Sequence, residues 1–195
     1  QVMSIAEGIR DDAVCSYCIA YLATRYCYDN KSVPFAELGW KLIRAIEKCT
    51  KQIQLGIRTT LVLSRISEHR DTLEILQVGN GTVAVVRQGR MIFKTGSIYS
   101  KYGWPSCFHI DSTVETRHAA LYSIPIQKGD IIISNGFFDN VWPRQIEKIV
   151  TAEALVSLAK QISLIEEGAD IPFNKQWRVK EKGKNEDISV IIQRI

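Results

Sequence analysis

Several features that would have assigned this sequence quickly are scarce or missing. Histidine occurs at only three positions, His69, His109 and His118, each without a serine or carboxylate at a telling spacing, so no His-based catalytic triad is expected. No apolar run approaches the roughly 18 residues that a transmembrane helix needs, and no signal-peptide pattern is visible. There is no internal repeat and no linker-like stretch. The chain begins with Gln1 rather than Met, from which a lost targeting segment or further strands ahead of it are expected.

Cysteine is present but unpaired by count. Cys15, Cys18, Cys27, Cys49 and Cys107 make an odd number, and three of them share one helix-like segment with apolar neighbours. They read as reduced core residues of an intracellular protein. Cys15-x-x-Cys18 finds no second Cys or His pair, which leaves a zinc site without its other half. Six residues after Cys107 stands Thr113, so the Cys-x5-Arg loop of thiol phosphoryl chemistry is absent.

What is there suits a globular fold. The 195 residues suffice for one domain, taken as 1–195, with a sizeable core, and the formal charge is +4. Basic residues gather only near the end, at Lys175, Arg178, Lys180, Lys182 and Lys184. With little aromatic interleaving beyond Trp177, that run reads as a solvated loop, and direct nucleic-acid recognition is not expected.

Taken in order, Val2 to Ala6 is a strand. Asp11-Asp12 caps a first helix with Val14, Cys18, Tyr21, Leu22 and Tyr26 as its apolar stripe, ended by Asp29-Asn30-Lys31. Ser32 and Pro34 open a second helix, whose stripe of Phe35, Leu38, Leu42, Ile43, Ile46, Cys49 and Ile53 predicts packing on a sheet. From Thr59 the period becomes that of strands: Thr59 to Ile66, Thr72 to Val78, Thr82 to Arg87 and Met91 to Lys94. The joints, including Gly79-Asn80-Gly81 and Gln88-Gly89, carry turn chemistry and predict an antiparallel meander, with Asn80-Gly81 as a type I′ turn. Residues 95–118 read as a long loop or weak strand. Strands resume at Leu121 to Ile126 and Ile131 to Ser134, Pro143 to Ala169 reads as mostly helical with Thr151 as a cap, and Ile188 to Ile195 as a last strand. Two helices, many antiparallel strands, then helices and a strand predict an α+β domain.

The centre of this pattern is Lys128-Gly129-Asp130, a turn, followed by the apolar run Ile131 to Ser134 and the breaker Asn135-Gly136. A strand ending in a polar residue and glycine presents that residue at its tip. The stretch Gly129-Asp130 to Asp139 resembles the Gly-Asp-x-(apolar run)-Ser/Thr-Asp-Gly-(apolar)-(aromatic)-Asp signature of the metal-dependent, type 2C (PPM) protein phosphatases. Four more stretches resemble that family in order. Ser4-Ile5-Ala6-Glu7-Gly8-Ile9 is similar to its first Asp-Gly motif, and Leu55-Gly56-Ile57-Arg58-Thr59-Thr60 to Gly-Ser-Ser-Thr-Ala. Val78-Gly79-Asn80-Gly81, followed by Val85 to Arg90, is similar to Leu-Gly-Asp-Ser with its Arg-x-Gly hairpin. Gly183 to Val190 is similar to the closing Gly-Gly-x-x-Asp-Asp-Ile-Thr-Val. Gly136-Phe137-Phe138-Asp139-Asn140 most resembles the mitochondrial branch, whose members read Gly-Leu-Phe-Asp-Asn.

The resemblance implies a sandwich of two antiparallel sheets flanked by helices on both faces, here with the N-terminal strands short or missing. It also implies two Mg or Mn ions, held by Asp side chains, that activate water for attack on phosphoserine or phosphothreonine. The matching positions are Glu7, beside Gly8, then Asn135 and Glu186, and none is Asp. Glu moves the carboxylate by a methylene, and Asn removes a charge where the family has one. Asp139 and Asp187 are nearby acidic candidates, while Arg10, Arg58 and Arg87 are the cations considered for a phosphate. The expectation is a pseudophosphatase without a cofactor, serving as a protein-binding or structural subunit, intracellular and in a mitochondrial assembly, or otherwise cytoplasmic. The alternative is a divergent active phosphatase using Mn or Mg; a third reading is a phosphopeptide-binding module.

Overall fold

The computed structural model describes residues 1–7, 13–53, 58–99, 106–109, 118–135, 154, 156–157, 160, 170–171, 174–178 and 190–195. The elements are β1 (Val2–Ile5), α1 (Ala13–Asp29), α2 (Phe35–Ile53), β2 (Arg58–Thr59), β3 (Leu61–Ile66), β4 (Thr72–Val78) and β5 (Thr82–Arg87). They continue with β6 (Arg90–Lys94), β7 (Phe108–His109), β8 (Ala119–Pro125), β9 (Ile131–Asn135), β10 (Asp170–Ile171), β11 (Asn174–Arg178) and β12 (Val190–Arg194). The fold is α+β, with all strand pairs antiparallel.

Two four-stranded sheets carry the architecture, the first in the order β1-β3-β4-β8 and the second β12-β9-β5-β6. Strand alternation decides what each face meets. On β3 and β4, Leu61, Leu63, Leu76 and Val78 turn toward the helices and pack with Ile19, Leu38, Leu42 and Ile46. Val62, Ile66, Leu73 and Ile75 turn the other way, onto Val83, Val85 and Ile132 of the second sheet. Phe93 of β6 and Tyr122 of β8 close this inner layer edge-to-face, with ring centroids 5.7 Å apart. On the outer side of the second sheet Ala84 and Ile133 are also fully buried, so that sheet is covered on both faces.

The second helix forms as its sequence predicts, from just after Pro34, with Phe35, Leu38, Leu42, Ile43 and Ile46 buried. Cys49 of the expected stripe is exposed instead. The first helix is rotated from the expected face: Ser16, Ile19, Ala23 and Cys27 are buried, while Cys18, Tyr21 and Leu22 face solvent. Its apolar residues run nearly all round it, and the side that packs is the one whose small residues let the helix lie close to the sheet. Ser4 Oγ on β1 donates to the Ala20 carbonyl at 2.7 Å and pins that approach. Of the five cysteines only Cys27 is buried outright, correcting the expectation of a buried set; Cys18 and Cys49 are exposed. The turn between the helices is held by Arg65, which bonds Glu74 at 2.8 Å and the carbonyls of Lys31 and Val33, and lies over the Phe35 ring.

The expected strand from Thr59 to Ile66 is two strands. β2 leaves the first sheet and pairs with β7, Arg58 opposite His109, within a stretch expected to be loop or weak strand. The expected meander also breaks, because β4 and β5 do not pair and belong to different sheets. Gly79-Asn80-Gly81 is therefore a crossover rather than a type I′ hairpin turn, and Asn80 does not take a positive φ. The I′ geometry, with both central residues at φ > 0, occurs at Gln88-Gly89 between β5 and β6. Lys175 and Arg178, read as part of a solvated loop, lie on β11, paired with β10. Ala154, Val156, Ser157 and Lys160 are helical, in line with a helix in that stretch; Thr151 lies outside the described residues.

Candidate functional site

The crossover between the sheets builds the site. At Gly79, φ is +95° and an added Cβ would stand 2.4 Å from the Ser106 carbonyl and 2.6 Å from Thr60 Cγ2; at Gly81 it would stand 2.6 Å from Val62 Cγ2. Only glycine lets the chain run this close to the start of β3. Gln77, fully buried, then staples the crossover: its Nε2 lies 3.0, 2.8 and 2.6 Å from the carbonyls of Gly79, Gly81 and Gly96.

This close approach brings strand ends from both sheets together. In the first sheet Ile5 pairs with Val62, and the Thr60 N–H donates to the Glu7 carbonyl at 3.0 Å, so Glu7 sits beside Thr60 where β3 begins. Glu7 is half-buried, and its Oε2 is shielded from solvent. In the second sheet Thr82, next to Gly81, pairs with Asn135, which in turn pairs with Val190. Glu7 and Asn135, far apart in sequence, thus stand at the same end of the two facing sheets, with Asn80 in the crossover between them. Ser134, on the inward face of β9 with Ile132, has a buried hydroxyl with no partner among the described residues.

Gly8, Asp139, Glu186 and Asp187 lie outside the described residues, as does Arg10. Arg87 is placed, and not at this end. It lies at the far end of β5 from Thr82 and grips Asp130 with two hydrogen bonds, Nε to Oδ1 and Nη2 to Oδ2, both 2.8 Å. That removes Arg87 from the candidate phosphate-binding cations and makes Asp130 of the Gly-Asp turn a structural residue. The Arg87 guanidinium holds the Asp130 carboxyl below its ordinary range, against the opposing effect of burial. The same turn receives the end of β12: the Gly129 N–H donates to the Ile195 carbonyl and the Ile195 N–H to the Asp130 carbonyl, both at 3.0 Å. Arg58 lies near the Glu7 end, cross-strand from His109. Burial pushes the Cys107 thiol up, which suits a packed residue rather than a thiolate nucleophile.

Sequence reasoning missed Gln77 and the Arg87–Asp130 pair. A glutamine in register with the inward-facing Leu73 and Ile75, two residues before Gly-x-Gly, was the available signal for the first. The second joins residues 43 apart and leaves no local trace.

As a metal centre the described donors are sparse. Glu7 supplies one carboxylate at this end and Asn80 and Asn135 are neutral. Among the described residues no three His, Cys, Asp or Glu side chains are placed to share an ion. Two hard dications need several anionic oxygens in near-octahedral geometry, and this described set does not fit them.

Among the described residues two antiparallel sheets face each other with helices laid across one of them, a fold shared with solved type 2C phosphatases. The structure is similar to that of the photosystem II phosphatase PBCP, with TM-score 0.77 and 21% identity over all of this chain and 87% of that one. It is also similar to the catalytic domain of the serine/threonine phosphatase PstP in complex with two manganese ions, with TM-score 0.61 and 12% identity, covering 98% and 86% of the two chains. In sequence it is 26% identical over 178 residues to the putative protein phosphatase 2C 24 of Oryza sativa subsp. japonica, covering 82% of this chain and 54% of that protein. It is 29% identical over 137 residues to the probable protein phosphatase 2C 26 of Arabidopsis thaliana, covering 66% of this chain and 45% of that protein. The chain spans about half the length of these curated relatives. No family model matches it. In sequence and in fold the chain is similar to the type 2C (PPM) protein phosphatases.

Proposed function

We propose that this protein is a type 2C-like pseudophosphatase that keeps the two-sheet frame and serves as a protein-binding or structural subunit. The observation that carries the reading is that Glu7 and Asn135 stand at the same end of the two sheets, at positions where the family resemblance calls for aspartates. Glu186, the third matching position, is also not Asp. On this reading Glu7, Asn135 and Glu186 together supply too little anionic oxygen for two dications. The setting we propose is a large mitochondrial assembly, on the run Gly136 to Asn140. No helix among the described residues is long and apolar enough to cross a membrane.

One observation favours the rival reading, a divergent Mn- or Mg-dependent serine/threonine phosphatase: the fold is shared with a two-manganese catalytic domain. In that case Glu7, the Gly8 carbonyl, Asp139, Glu186 and Asp187 would hold the metal, which would supply an activated water, and Asn135 would be a neutral ligand. The test is calorimetric titration with Mn and Mg, then phosphate release from a phosphothreonine peptide in the same buffer. We expect neither binding nor turnover. Turnover that needs Mn and disappears in Glu7→Ala would establish the rival instead.

A further inference from the structure

The outer side of α1 is unusual for a protein surface. Tyr17, Tyr28 and Tyr21 are 73%, 65% and 58% exposed along one side of the helix, and Leu22, 46% exposed, stands about 100° further round toward α2. From Leu22 a groove of about 210 Å³ opens between α1 and α2, walled by Leu22, Tyr26, Leu42, Ala45, Ile46 and Cys49, with the Arg25–Asp29 pair at its edge. An apolar concavity with an aromatic in its wall, here Tyr26, has the composition of a binding hot spot.

The charges around the groove say what it would take. At 100° per residue, Lys41 and Lys48 come next around α2 from Ala45 and form the lip opposite Leu22 and Tyr26. Lys41 is already paired with Glu37 at 2.6 Å, and on the other side Arg25 is paired with Asp29 at 2.8 Å. Lys48 has no ion-pair partner among the described residues. Over the two helices and their connection Arg25, Lys31, Lys41, Arg44, Lys48 and Lys51 stand against Asp29, Glu37 and Glu47, a surplus of three positive charges.

We propose that this groove docks an amphipathic helix of another protein, its apolar stripe seated between α1 and α2 and its Asp/Glu edge against the Lys48 lip. The inference rests on the binding role proposed above and gives that role a surface. From Leu22 to Asp29 on α1 and from Leu42 to Cys49 on α2 the groove is roughly 10 Å long, which suits about two turns of a partner helix. A second copy of this chain would bring the same excess of positive charge against itself. A bilayer is flat and leaves a concavity unfilled.

The test uses the full chain in EDTA, so that it does not depend on whether the metal site works. A displayed library of helical peptides of about 16 residues is selected on the protein, and affinities of the recovered peptides are measured by fluorescence anisotropy. Expected sequences carry apolar residues at i, i+3 or i+4 and i+7 with an acidic edge. Ala45→Trp, which fills the groove from an exposed position, should weaken them at least about tenfold, and Lys48→Glu about threefold with a reduced salt dependence. Both variants should keep the native melting temperature. Failure to recover peptides, peptides with basic edges, or affinities untouched by Ala45→Trp would overturn the proposal. So would sedimentation showing a dimer that Ala45→Trp dissolves, or binding to phosphatidylserine vesicles that the peptides do not displace. Phosphate release with Mn would defeat the pseudophosphatase reading and leave these peptide affinities as they are.

Discussion

The two ends of β9 hold their polar residues for different reasons. At its start Asp130 is a fully buried carboxylate, fixed by two hydrogen bonds from Arg87 and a third from the Gln127 N–H at 2.9 Å. At its other end Asn135 is a carboxamide, held in register between Thr82 and Val190 and set at the same end as Glu7. A buried carboxylate whose partner is an arginine of the same sheet is part of the fold, and removing it would strand the arginine and open the turn. A carboxylate whose partner is a metal ion can become an amide with the fold intact. The two ends thus separate charge kept for structure from charge that chemistry would require, and the pseudophosphatase reading we propose puts the change at Asn135 in the second kind.

The comparison breaks most completely if the crossover is disturbed, since that is what sets the Asn135 end beside the Glu7 end. Gly79→Ala places a methyl group 2.4 Å from the Ser106 carbonyl at a φ of +95°. We expect a loss of at least about 3 kcal/mol, a fall in melting temperature of about 6–12 °C by calorimetry. A loss below about 1 kcal/mol would mean that the crossover is not as tight as described. Next in size is the structural end. Asp130→Ala should cost on the order of 2 kcal/mol by leaving the turn amide and its hydrogen bonds unmet. Because the folded carboxyl titrates below its unfolded value, its contribution is complete above about pH 4 and fades as pH falls toward the folded value. Melting curves taken from neutral pH downward should show Asp130→Asn already lowered at neutral pH, with a flatter decline than the native chain below about pH 4. Parallel declines would deny Asp130 this role.

Much of the frame was legible because local signals agreed with one another. Pro34 and the stripe from Phe35 to Ile46 define α2, and Gln88-Gly89 defines the hairpin between β5 and β6. Misreadings arose where local chemistry permits two answers. An α1 that is apolar nearly all round can pack on either side, and the small residues Ser16, Ala23 and Cys27 won over the tyrosines because a helix lying on a sheet needs close approach. Gly79-Asn80-Gly81 has the composition of a tight turn, yet contact with Thr60 and Val62, far away in sequence, makes it a bridge between sheets. The candidate site was legible only through its resemblance to a family. No spacing rule brings residue 7 beside the end of β9, since that neighbourhood depends on two strand registers and one crossover together.

The smallest expected effect is also the most discriminating. Asn135→Asp restores one carboxylate at the end of β9 without altering the backbone register set by Thr82 and Val190. In EDTA it should change stability by no more than about 0.5 kcal/mol, because one terminal oxygen replaces a nitrogen at a strand end. In Mn the outcome depends on whether charge was what the site lacked. If Glu7 already offers one carboxylate in the right place, Asn135→Asp combined with Glu7→Asp and Glu186→Asp should raise the melting temperature in Mn. The underlying stabilisation should grow with metal concentration and reach about 1.4 kcal/mol at tenfold the dissociation constant. The native chain should show no such rise. An equal rise in both would mean that Asn135 already serves as an adequate neutral ligand, and the contrast between the two ends of β9 would then concern geometry rather than charge.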